Sequence, residues 1–128
     1  MDHELELLGT QIEDLGYVAD RVSRIIGLEL YEFSNEVYGD HFSNSYLDMI
    51  EHFGKYRLED GAEVSPRLEV IPQRNSRYGH LNFYGMQNYA SGVLLSCITE
   101  MESLVEKLLA DEELGLEIVD TDPKRNPL

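Results

Sequence analysis

The side chains whose types could do chemistry are few in this 128-residue chain, and one group stands apart. Arg74, Arg77 and His80 lie in the stretch RNSRYGHLNFYG (74–85). That stretch falls within residues 70–99, a window without a single Asp or Glu in a chain of formal net charge −15. Elsewhere, Asp48 and His52 share a helical i, i+4 spacing, with Asp40 and His41 just upstream. Two facing ligands can begin a metal site, but a bound metal needs three or four in closed geometry. The chain has no HExxH, no EF-hand loop and no repeated Glu-x-x-His, so neither a metal nor a cofactor is expected. Covalent catalysis has no footing either, since GxSxG and a glycine-rich phosphate loop are both absent. The lone Cys97 excludes an intrachain disulfide and any multi-cysteine metal site.

In the acid-free window, Arg74 and Asn75 are followed by His80 six positions after the arginine. This resembles the Arg-polar…His signature of the HEPN-domain ribonucleases. The resemblance covers about seven residues, Arg74 to His80. It implies a helical bundle in which paired Arg and His residues at a dimer cleft cleave RNA without metal. Arg74, Asn75 and His80 would then be the catalytic set. Histidine would move the 2′-hydroxyl proton and arginine would stabilise charge on the phosphate. The other reading of the window is structural, as an inner surface whose arginines pair with carboxylates elsewhere. Exposed pairs of that kind stabilise by only ~0–1 kcal/mol each.

The elements that must position these groups belong to one domain. A chain of this length buries roughly two-thirds of its unfolded surface. Its apolar and charged fractions, 42% and 27%, are those of a globular protein. No apolar run approaches the ~20 residues of a membrane span. The amino terminus is acidic where a secretory signal would be basic. A cytoplasmic protein, of a bacterium or a virus-infected host cell, is expected. Charge is unevenly spread: residues 1–63 carry −11, residues 64–99 carry +2 and residues 100–128 carry −6. Such an envelope repels nucleic acid and favours encounter with basic surfaces.

Apolar periodicity predicts mainly helix. Leu5, Leu8, Ile12, Leu15, Ala19, Val22 and Ile26 alternate in steps of three and four, a heptad-like seam for one helix over 3–26. Leu30, Phe33 and Val37 suggest a second, shorter helix ending near Gly39. A third is expected from Phe42 to about Tyr56 or Arg57, with Ser45 and Asp48 in capping-box spacing. RLEVIP (67–72) and RYGHLNFYG (77–85) read as the two strands of a hairpin. Ala90, Leu94, Cys97, Met101, Leu104 and Leu108 mark a fourth helix to about residue 110, with Cys97 as a buried small apolar group. Leu114–Val119 could add a last strand, and 121–128 reads as a flexible polar tail. The expected architecture is a helical, bundle-like domain of about four helices over 1–120, with a small β-hairpin near 67–84. The two seams also predict a homodimer.

Function follows from charge and aromatics rather than from a motif. The expected activity is non-catalytic: a small acidic protein-binding module, an inhibitor or regulator of a basic or nucleic-acid-handling protein partner. In composition it resembles toxin immunity proteins, antitoxins and phage anti-defence proteins. The binding surface is expected at Tyr31, Glu32, Glu36, Tyr38, Asp40, Tyr46, Asp48 and Glu51, tyrosines serving as rigid anchors among carboxylates. Membrane association and direct nucleic-acid binding are not expected.

Overall fold

Leu7 and Leu8 are neighbours in sequence, and both are buried, at 1% and 0% exposure. Successive side chains of a strand point to opposite faces, so this pattern marks a strand covered on both sides. It forms β1 (Leu5–Thr10). The protein is described by a computed structural model over residues 5–74, 76–78 and 81–120, with backbone only at 77 and 78. The chain continues through α1 (Leu15–Ile26), β2 (Tyr31–Asn35), β3 (Gly39–Ser43), α2 (Tyr46–Phe53), β4 (Tyr56–Arg57) and β5 (Glu63–Val64). Then come β6 (Arg67–Pro72), β7 (Arg77–Tyr78), β8 (Leu81–Asn82), a 3-10 turn at Tyr84–Asn88, β9 (Ser91–Ser96), α3 (Met101–Leu109) and β10 (Glu117–Ile118). Six strands form one sheet in the order β10-β1-β9-β6-β3-β2, every neighbouring pair antiparallel.

This is an α+β fold, and the expected four-helix bundle is corrected accordingly. Residues 3–26 are not one helix. Leu5 and Leu8 matched a helical spacing only because a strand buried on both faces has no period of two to set against it. The helix begins later, where the Asp14 carboxylate accepts from the Tyr17 N–H, and it ends at Gly27 in the left-handed region. The second predicted helix is the β2–β3 hairpin. The Asn35 side chain accepts from the amides of Val37 and Tyr38 and closes its turn, and Gly39 leaves that turn at φ +70. Only the latter part of the third prediction is helical, starting where Ser45 accepts from the Asp48 N–H. The fourth dissolves into β9 and α3. Five residues of β9, Ser91 to Leu95, are buried in a row. Cys97 and Glu100, both at positive φ, turn the chain into α3, and Cys97 is half-buried. Finally, β6 does not pair with 77–85: it lies between β9 and β3, and β7 pairs only with β8.

The register sorts the core into two layers. Leu8, Val93, Leu95, Leu68 and Val70 face α1 and α3, whose Val18, Val22, Met101, Val105 and Leu108 cover them. Leu7, Leu94 and Ile71 face the other way, onto Leu81, Phe83 and Met86 of the excursion between β6 and β9. Each fully buried side chain of this size stabilises by roughly 1.5–3 kcal/mol. Two glycines paired in register, Gly9 and Gly92, let the Tyr89 ring and the Met86 thioether lie directly on the sheet. The acid-free window thus has a structural account. It is made of the two central strands and the segment that roofs their second face, where an unpaired carboxylate would be costly.

Candidate functional site

The β2–β3 hairpin forms one end of the sheet, joined to β6 by a single bridge pair, Phe42 with Val70. A polar cluster completes the attachment on the face away from the helices. Glu69 of β6, only 7% exposed, accepts from Arg67 Nε and Nη2 at 3.1 and 2.7 Å. Its second oxygen lies 3.7 Å from His41 Nε2. His41, 4% exposed, donates from Nδ1 to the Gly39 carbonyl at 2.9 Å, because a carbonyl can only accept. Its ring meets Tyr38 edge-on and lies beside Phe33. Arg67 also donates to the Tyr38 hydroxyl at 3.2 Å. Burial, followed by the nearby Glu69 charge, pushes the Tyr38 phenol above its ordinary pKa. Arg74 donates to the Val37 carbonyl and packs its guanidinium over the rings of Tyr38 and Phe83.

What this cluster positions is a surface. All five residues of β2 are exposed, with Tyr31 at 49% and Phe33 at 43%. On α2, Tyr46 and Leu47 stand out at 68% and 77%. Residues 25–54 contain Glu29, Glu32, Glu36, Asp40, Asp48 and Glu51 and no Lys or Arg, and all six acids are exposed. The entry to β2 and the acidic side of α2 are held together. The Asn44 side-chain amide donates to the Glu29 carbonyl, and His52 Nε2 meets the Ile26 carbonyl at 3.0 Å. The Tyr31 hydroxyl donates to Glu29 at 2.9 Å. That hydrogen bond chiefly, with the negative charges of Glu29 and Asp48, raises the Tyr31 phenol pKa. Leu28, Asp48, Glu51 and His52 line a shallow cleft beside it.

The structure therefore gathers Tyr31, Asp48 and Glu51 at one end of this surface, near Glu29, and carries Glu32, Glu36 and Asp40 along the hairpin. Tyr46 is exposed on α2. Tyr38 is a correction: at 6% exposure it anchors the hairpin from beneath and offers no outward ring. Phe33, Leu47 and Glu29 were missed by sequence reasoning. A period-two reading of YEFSN would have placed Tyr31 and Phe33 together on one side of an exposed strand. For the catalytic alternative, Asn75 and His80 lie outside the described residues. Arg74 is packed against aromatic rings, and its Nε is a buried atom without a hydrogen-bond partner among the described residues. The helical bundle that the HEPN resemblance implies is not the fold, and a strand rather than a helix follows the motif. Among the described residues no group of three or more His, Cys, Asp or Glu side chains could hold a metal ion. No helix there is long and apolar enough to cross a membrane. No protein-family model, curated protein or solved structure matches the chain.

Proposed function

We propose that this chain is a non-catalytic protein-binding module that engages a basic protein partner, as an inhibitor or regulator, through the β2–β3 hairpin and α2. One observation carries the reading: residues 25–54 present six exposed carboxylates with no Lys or Arg, around exposed Tyr31, Phe33, Tyr46 and Leu47. The charges supply long-range attraction, which raises association rates by roughly 10–10³-fold for an oppositely charged partner. The aromatic and apolar side chains supply the desolvated contact area in which binding energy concentrates. The polar cluster beneath holds the hairpin in place, so little ordering has to accompany association. Cytoplasmic location and a nucleic-acid-handling partner belong to the same proposal.

The test is capture from host lysate with cross-linking, comparing the native chain with a Glu32→Lys, Glu36→Lys, Asp48→Lys variant. Cross-links from a basic protein should map to residues 29–51 and vanish in the variant. Retention of RNA or a small molecule alone, or cross-links mapping elsewhere, would overturn the reading.

A further inference from the structure

The sheet ends on β2, and no strand among the described residues takes up its outer edge. Proteins blunt such edges with charged side chains, lysine above all, with proline, a bulge or very short length, because unpaired N–H and C=O groups invite another strand; β2 carries one charge, Glu32. The sequence of β2, Tyr-Glu-Phe-Ser-Asn, has no lysine and no proline, and all its residues pair without interruption to β3. The opposite edge differs. There β10 has two residues, Glu117 and Ile118, too few for extended pairing.

The geometry points to strand addition: we propose that β2 accepts an extended segment of a partner protein in which Lys or Arg alternates with apolar residues. This rests on the reading of the hairpin as a protein-binding surface and specifies how the partner is held. The register defines the two sides. Phe33 lies opposite His41 and Tyr31 opposite Ser43, so both rings project on the face of the polar cluster. Glu32 lies opposite Phe42 and Ser34 opposite Asp40, so these carboxylates project on the helix-bearing face. A strand laid beside β2 therefore sets alternate side chains against Tyr31 and Phe33, and the intervening ones against Glu32 and Ser34, with Asp40 one strand further on along the same face. Backbone pairing supplies affinity, and the alternation supplies selectivity. A second copy of this chain fits poorly, because two such edges would bring the same surplus of acids together.

The probes are fluorescent heptapeptides titrated into the full chain at low and moderate salt, read by anisotropy. One alternates four lysines with three valines, and a second carries the same residues as a lysine block followed by a valine block. Two more are the alternating peptide N-methylated on the lysine amides or on the valine amides. The alternating peptide should bind at least about tenfold tighter than the block peptide and weaken as salt screens the charges. Alternate amides of a strand face its neighbour, so methylation in one phase should cost about tenfold or more and in the other little. Glu32→Lys should weaken the alternating peptide several-fold. Equal binding of the alternating and block peptides, or indifference to methylation phase, would overturn strand addition while leaving an acidic protein-binding surface. If no lysine peptide binds even at low salt, the surface reading falls as well. A doubled mass in light scattering, lost when β2 is altered by Phe33→Lys, would show a second copy on the edge and also overturn the proposal.

Discussion

Glu69→Gln tests whether the polar cluster holds the hairpin against the sheet. In the native chain Glu69 receives two N–H bonds from Arg67, at 3.1 and 2.7 Å, and its other oxygen faces His41 at 3.7 Å. Glutamine keeps the shape and one acceptor but loses the charge that the Arg67 guanidinium faces. A hydrogen bond to a charged group contributes about 1.5–3 kcal/mol net. Breaking a buried pair costs about 3–5 kcal/mol when the stranded charge stays buried. Arg67 is 47% exposed at its side chain and can turn to water, so the lower figure applies. The expected cost is ~2 kcal/mol in urea unfolding. Hydrogen exchange should show where it falls. Amides of residues 31–43 should lose protection out of proportion to those of β1 and β9, because apart from the cluster β3 is tied to β6 by one bridge pair and by the Ser43 hydroxyl, which donates to the Leu68 carbonyl at 3.0 Å. A loss below about 0.5 kcal/mol, or an even loss across the sheet, would refute the cluster's role as anchor.

Three further outcomes follow from the same contacts. Gly92→Ala places a Cβ 2.8 Å from the Leu8 carbonyl oxygen and the Met86 methyl, and overpacking of that kind should cost about 1–3 kcal/mol by thermal unfolding. Asp111 accepts from Arg21 Nε and Nη2, which chiefly holds its carboxyl below the ordinary range. A depressed carboxyl stabilises above its unfolded pKa, near about 3.9, and that contribution is lost as pH falls through the folded value. Asp111→Asn should therefore be the less stable protein at neutral pH, with the gap closing below about pH 4 in pH-dependent denaturation. Purified chain should leave single-stranded RNA intact without metal, and Arg74→Ala should alter stability only; cleavage lost in His80→Ala would reverse this.

What could be read in the sequence was whatever local chemistry sets by itself. Ser45 with Asp48 marked a true helix start, RLEVIP a true strand, and Leu114–Val119 a segment that contains β10. The later halves of both apolar seams, Leu15 to Ile26 and Met101 to Leu108, do lie on helices. Their earlier halves do not. Leu5, Leu8 and Leu94 lie in strands at the middle of the sheet, and such strands are apolar in runs and imitate any period. Seam residues such as Leu8, Val22, Leu94 and Leu108 are buried within one chain, which removes the ground on which a homodimer was expected. The hairpin was missed for the opposite reason: its exposed strand has no core-facing pattern, and Asn35 and Gly39 carry the turn signal instead. The candidate surface was legible in charge and aromatic content. Its anchor was not, because Tyr38, His41, Arg67, Glu69 and Arg74 meet only through the sheet.

The most direct measurement is amide chemical-shift mapping of the full chain titrated with the alternating lysine–valine peptide. Residues 100–117 form a second acidic stretch, with Glu100, Glu102, Glu106, Asp111, Glu112, Glu113 and Glu117, but they lack a long open strand edge and an exposed aromatic cluster. Attraction by charge alone would perturb both stretches alike. Binding at the hairpin and α2 predicts saturable shifts concentrated at residues 29–51, and shifts centred on 100–117 or spread evenly over both would contradict it.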